Sequence, residues 1–239
     1  MCAYEGTHYH GWQSQTNAVA VQDVIEKALR AVLGVPTRIH GSGRTDTGVH
    51  ARGQVFHFDA HWPHGPSRLL TALGTKLPAS IQVRQLVAAA ADFHARFHAT
   101  GKRYIYHLHL GAADPFETAY CWSLLKPIEF DRLEAAARLL RGRHDFAAFC
   151  AVSGDERETT VRDLRRLDVV RRGRRARVIL EADGFLYKMA RSIVGTLVTV
   201  GMGHLAPEDA AALLHTGGRI PKVKTAPAHG LFLDKVFYD

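Results

Sequence analysis

The stretch 102–110 constrains the fold most. Tyr104, Tyr106, Leu108 and Leu110 share one face, and Arg103, Ile105, His107 and His109 share the other. A period of two is a strand, and a strand with one apolar face needs a covering layer. Helical spacing elsewhere supplies it. Val21, Val24, Ile25, Ala28, Leu29 and Val32 fall on one helix face, stopped by Gly34 and Pro36. Asn17 or Thr16 is the expected cap. Leu133, Ala136, Ala137 and Leu140 line a second helix over 131–141, stopped by Gly142. Strands interleaved with amphipathic helices give an α+β fold.

The remaining pattern falls into two passages with a seam near 99–101. In the first, 38–40 and 54–59 read as strands, with Phe56 and Phe58 on one face. A weaker helix follows over 67–77, interrupted by Gly74 and closed by Pro78, then a strand over 81–87. In the second, 161–170 and 175–182 form a strand pair joined by a basic turn. A helix runs from Met189 through Ile193, Val194 and Leu197 to about Val200. Pro207 starts a short helix that Gly217 closes, and 231–237 is a final strand. The second passage loosely repeats the rhythm of the first. At about 100–200 residues per domain, 239 residues make one large domain or two small ones, and the seam divides them into 1–100 and 101–239.

Composition excludes several classes. Hydrophobic residues at 46% and charged residues at 23% rule out disorder and collagen. No apolar run approaches the roughly 18 residues of a membrane span. The start carries no apolar signal core. Cys2, Cys121 and Cys150 are too few and scattered for a disulfide framework or a zinc site, so they read as ordinary thiols of a reducing cytoplasm. A net charge of +8 points weakly to a polyanionic partner.

The chemistry concentrates in Gly41-Ser42-Gly43-Arg44-Thr45-Asp46-Thr47-Gly48-Val49-His50-Ala51. Its glycines permit backbone angles that other residues avoid. No Gly-Lys-Ser/Thr follows, and the Gly-x-Gly-x-x-Gly spacing is absent, so nucleotide loops are excluded. One carboxylate remains, Asp46, beside Arg44. It reads as a nucleophile, a base or a turn-capping group.

The run from Gly43 to Ala51 resembles the signature of the TruA family of tRNA pseudouridine synthases. Tyr4-Glu5-Gly6-Thr7-His8-Tyr9-His10-Gly11-Trp12-Gln13 is similar to that family's opening segment. Phe93-His94-Ala95-Arg96-Phe97 followed by Lys102-Arg103-Tyr104-Ile105-Tyr106 is similar to its central segment. His144-Asp145-Phe146, Asp183-Gly184-Phe185-Leu186 through Met189-Ala190-Arg191, and Ala226-Pro227-Ala228-His229-Gly230-Leu231 follow in order. Three departures stand out. The family usually has a longer first strand, an Asp where Glu5 stands, and an Asn-Ala-like pair where Gly74-Thr75 stands.

The resemblance implies two similar α/β domains with mainly antiparallel, RRM- or ferredoxin-like sheets and a catalytic cleft between them. It implies a cytoplasmic homodimer that acts on uridines 38, 39 and 40 of the tRNA anticodon stem-loop. Asp46 is the implied nucleophile, with Arg191 as its partner cation, and Tyr104 and Leu231 as pocket residues. Arg44 is expected to fill the gap left by the extracted base. The reaction needs no cofactor, energy source or metal. Three routes stay open for Asp46: addition to C6 of the base, attack on C1′, or a glycal path.

Other features read more plainly. His8/His10, His61/His64 and His107/His109 come in pairs, with no cysteine or carboxylate at zinc-ligand spacing. His50 orients the loop or is a satisfied turn histidine. Tyr106 reads as core. Arg171, Arg172, Arg174, Arg175 and Arg177 are a solvated hairpin or, with Arg162, Arg165 and Arg166, a phosphate-contacting arm. The rival to an enzyme is a non-catalytic RNA-binding or RNA-chaperone protein on the same scaffold, which would not need Asp46, Tyr104 and Arg191 together. A structural interaction module has no further support.

Overall fold

A computed structural model describes residues 1–151 and 159–239. They form two units, Met1–Thr100 with Phe232–Asp239, and Gly101–Leu231. Among the described residues no helix is long and apolar enough to cross a membrane.

The first unit contains β1 (Cys2–Tyr4), α1 (Val21–Leu33), β2 (His40–Gly41), β3 (His50–Gln54), β4 (Phe56–His57), α2 (Gly65–Gly74) and β5 (Ile81–Val83). β1 is short, but all three of its residues are buried, and it pairs antiparallel with both β3 and β5. It is therefore not an exposed edge. β2 and β4 form a separate small ribbon, in which His40 faces His57 and Gly41 faces Phe56. α1 buries Val21, Gln22, Ile25, Ala28 and Leu29, close to the face read from the sequence.

Its start differs from expectation. Neither Asn17 nor Thr16 caps it. The first amides, those of Val21 and Gln22, donate instead to the carbonyls of Gly11 and Trp12 at 3.1 and 3.0 Å. Asp23 accepts from the amide of Ala20. The opening segment thus does the work of a cap. The strand expected over 54–59 divides into β3 and β4, and most of β3 precedes it. β3 hides from periodicity because four of its five residues are buried.

The second unit contains β6 (Gly101–Leu110), β7 (Trp122–Leu124), α3 (Phe130–Leu140), β8 (Gly142–Asp145), β9 (Val161–Arg172), β10 (Arg175–Ala182), α4 (Met189–Gly201) and α5 (Pro207–Ala212). The sheet runs β6–β10–β9–β8, all antiparallel, and β7 adds to β6 in parallel. Tyr104, Tyr106 and Leu108 are buried together with Ala176, Val178 and Leu180. α3 packs on β9 and on α4 through Leu133, Ala136, Ala137 and Leu140. α4 is buried on nearly every side. Gly195 lets it approach the main chain at Lys224, where an added Cβ would lie 2.3 Å from the carbonyl oxygen.

β9 breaks the period of two. Leu164 and Leu167 are three apart, yet both are buried. The register explains it: Glu181 faces Arg166, but the next residue, Ala182, faces Leu164. One extra residue in β9 resets the pleat, as a bulge does.

After α5 the chain returns to the first unit. β11 (Leu231–Phe237) lies parallel to β3, with Phe232 facing His50 and Leu233 facing Ala51. This pairing places residues 232–239 with the first 100 residues rather than with the passage that precedes them.

Candidate active site

The Asp46 loop joins β2 to β3 and is held along most of its length. The Trp12 amide donates to the Thr45 carbonyl at 3.1 Å. The hydroxyls of Tyr4 and Thr45 are hydrogen-bonded at 2.8 Å. Gln54, fully buried, accepts from the Ser42 hydroxyl and donates to the Gly43 carbonyl. The Gly6 amide donates to His50 Nδ1 at 2.9 Å. His50 is buried and stacks on Phe232 at 4.6 Å, so it is a satisfied loop-holding residue.

Three glycines outside the loop's tip make this fit possible. A Cβ at Gly6 would lie 2.1 Å from the Val49 carbonyl oxygen. One at Gly41 would lie 2.3 Å from Trp12 Nε1. One at Gly11, whose φ is +81°, would lie 2.4 Å from the Thr45 carbonyl oxygen. None of these positions has room for a side chain.

Asp46 opens a turn. The Val49 amide donates to its carbonyl at 3.1 Å, and Gly48, at the turn's third position, has a φ of +76°. That position calls for glycine. Ser42, Thr45, Val49 and His50 are buried, Asp46 is half-buried, and Arg44 is exposed. The result is a fixed main chain that presents a half-buried carboxylate. Such a group suits attack on, or proton exchange with, a bound ligand, because little ordering is left to do.

The second unit carries the other named residues. Tyr104 is buried and meets Phe185 edge to face at 4.9 Å. Arg191 is the third residue of α4. Its carbonyl accepts from the Ala226 amide at 3.0 Å, and its Nε donates back to the Ala226 carbonyl at 2.9 Å. Tyr106, on the same strand face as Tyr104, is fully buried and donates to the Pro227 carbonyl at 2.8 Å. Burial pushes its phenol far above the ordinary value, and the nearby Arg191 guanidinium offsets part of this. Gly230 lies against the Tyr106 ring. Leu231, the next residue, is buried. His229 is held below the ordinary imidazole value, first by burial and partly by Arg191, while a hydrogen bond with the Cys121 backbone pulls it up. Arg191, Tyr106 and 226–231 are thus one cluster, and Tyr104 is one pleat away.

Sequence reasoning missed several residues that hold this arrangement. Arg219 is one. Its guanidinium donates to the Ser192 hydroxyl, the Val223 carbonyl and the Thr225 hydroxyl, which ties 219–225 to α4 beside Arg191. Trp12, Gln54 and Gln22 are others. Gln22 is buried in α1 and bonds Ser14, Gln13 and the Ile39 carbonyl. Only spatial neighbours reveal these roles.

The basic hairpin divides. Arg171 lies over the Phe130 ring at 4.9 Å, Arg174 donates to the Leu110 carbonyl, and Arg175 pairs with Glu117. Arg172 and Arg177 are exposed. Much of the run therefore holds the fold. Cys2 is fully buried, and burial pushes its thiol up to about 12, which makes it inert near neutral pH.

The chain that forms this fold and this loop has relatives in sequence. A family model described as tRNA pseudouridine synthase matches residues 1–98 and 136–239. The tRNA pseudouridine synthase A of Syntrophotalea carbinolica is 43% identical over 236 residues, covering 98% of this chain and 93% of that protein. That of Thermoanaerobacter sp. strain X514 is 40% identical over 236 residues, covering 98% and 96%. That of Chlamydia trachomatis serovar L2b is 40% identical over 240 residues, covering 99% and 90%. The chain belongs to the tRNA pseudouridine synthase family, a family of isomerases.

Proposed function

We propose that the protein isomerises uridine to pseudouridine at positions 38, 39 and 40 of the tRNA anticodon stem-loop, with Asp46 as the nucleophile. The observation that carries this reading is the clamping of the Asp46 loop. Glycines at 6, 11 and 41 let Val49, Thr45 and Trp12 pack tightly around the loop that carries the half-buried Asp46. A protein that only binds RNA has no use for so rigid an acidic tip, since a carboxylate repels phosphate.

The reaction breaks the N1–C1′ bond, turns the uracil and joins C5 to C1′. Addition to C6, attack on C1′ and a glycal path all need an ionised carboxylate held within reach of the nucleotide. The target base must leave its stack, at a cost of a few kcal/mol. Exposed Arg44, two residues from Asp46, fills the space it leaves. Tyr104 supplies an aromatic face for the uracil and Leu231 an apolar wall, and Arg191 is the partner cation that the family resemblance implies. In this reading Asp46 of the first unit and Tyr104, Arg191 and Leu231 of the second act on the same uridine. The two units are then the two domains of each subunit of a cytoplasmic homodimer.

The test is direct. The purified protein and an Asp46→Asn variant are incubated with unmodified tRNA, and pseudouridine is mapped by position. Product at 38–40 from the parent protein alone supports the reading. Tight tRNA binding without product from either protein supports the non-catalytic RNA-binding alternative.

A further inference from the structure

The segment 93–98 is not used by this mechanism, yet it is built with care. His40 and His57, cross-strand partners on the β2–β4 ribbon, stack at 5.1 Å between ring centroids. His94 meets His57 at 4.6 Å, edge to face. Phe97 then stacks on His94 at 4.2 Å, with 29° between the planes. The four rings form a continuous ladder. Among the described residues no three His, Cys, Asp or Glu side chains are placed to hold a metal ion, so the imidazoles are packed rings rather than a ligand set.

The outer end of the ladder reaches solvent. Phe97 is 73% exposed. The guanidinium carbon of Arg96 lies 5.8 Å from its ring centroid. The turn that presents Phe97 is fixed from within. The amides of Arg96 and Phe97 donate to His94 Nδ1 at 3.1 and 3.3 Å, and that of Ala95 donates to His57 Nδ1 at 3.2 Å. The Tyr238 hydroxyl donates to the Ala95 carbonyl at 2.7 Å. A large aromatic on a fixed turn, backed by a second ring and flanked by a cation, has less to order when a flat partner arrives. Unpaired bases of RNA are recognised by such aromatic and guanidinium planes.

The ladder is also continuous with the candidate active site. His40 is the first residue of β2, which runs directly into the loop that bears Asp46, and Phe56 on the partnering strand packs on Trp12, under Gly41. We propose that Phe97, backed by His94 and flanked by Arg96, is a stacking platform for an unpaired base of the RNA substrate. The platform rests on the reading of the chain as an RNA isomerase, and gives it a second point of contact on the first unit.

The experiment compares the full-length protein with Phe97→Ala, Phe97→Leu and Phe97→Trp. Affinity for unmodified tRNA and for a fully paired RNA duplex is measured for each, together with melting temperature and oligomeric state without RNA. Loss of one base–aromatic stack weakens binding about tenfold. Phe97→Ala and Phe97→Leu are expected to lose that factor on tRNA and nothing on the duplex, while Phe97→Trp keeps parent affinity. Three results overturn the platform: parent affinity in the Ala variant, rescue by Leu equal to rescue by Trp, or an Ala variant whose oligomeric state changes without RNA. If the parent protein binds tRNA but forms no pseudouridine, the isomerase reading fails while the platform is judged on affinity alone. If the parent protein binds no tRNA, both fail.

Discussion

One methyl group at position 11 measures how tightly the Asp46 loop is held. Gly11→Ala forces a side chain into left-handed backbone and to within 2.4 Å of the Thr45 carbonyl oxygen. The expected cost is about 2 kcal/mol or more, read as a lower urea midpoint, with tRNA turnover falling beyond what the lost stability explains. Unchanged turnover would show that the loop need not be fixed. Arg44→Ala acts differently. Arg44 is exposed, so folding should be intact, and turnover should fall far more on structured tRNA than on a flexible single-stranded loop. Equal loss on both removes its role in replacing the extracted base. The loop itself was legible, because glycine spacing around a lone Asp is a local signal. Gly11, Trp12 and Gln54 were not, because what they do is touch the loop from residues distant in sequence or hidden in its flanks.

Among elements, α4 begins under strain. Lys188, the residue before it, has a φ of +58°, and among the described residues no other non-glycine residue has a positive φ. Left-handed backbone costs a non-glycine residue about 1–2 kcal/mol, and Asn less. A positive charge at a helix start is unfavourable as well. Lys188→Asn is therefore expected to raise stability by about 0.5–1 kcal/mol, a few degrees in melting temperature. A lower melting temperature would mean that the lysine's contact with the Tyr187 ring, 4.9 Å away, outweighs the strain. Legibility among elements follows periodicity. β6, α1, α3, α4 and β11 are long or strictly patterned, and the sequence locates each within a residue or two. β7 and β8 have three and four residues, too few to show a period. The buried pair Leu164 and Leu167 is out of phase for a strand until the bulge is known.

At the scale of the whole molecule, acid acts on both units in the same direction. His57 is held below the ordinary imidazole value by burial and by His94 and His40, against a smaller pull from Asp59 and a backbone hydrogen bond to His40. His229 on the second unit is lowered mainly by burial. Well above pH 6.5 both are neutral in either state and contribute nothing. As pH falls from there toward their depressed values, the unfolded chain binds more protons than the folded one, so stability falls. Melting temperature is expected to drop between pH 7.5 and 5.5, and His57→Gln to reduce the drop. A flat profile would remove both groups from the balance.

The return of β11 has a consequence for synthesis. Phe232 and Leu233 complete the sheet beside His50 and Ala51, and Tyr238 anchors the turn at Ala95. The first hundred residues leave the ribosome long before those partners exist. A chain stopped before residue 232 carries the complete Asp46 loop but not the strand that walls its base, with Phe232 missing from the ring of His50. Production of this sheet therefore waits on residues more than 130 positions downstream of the first unit's other strands, and any chain ended before them lacks the strand beside His50 and Ala51.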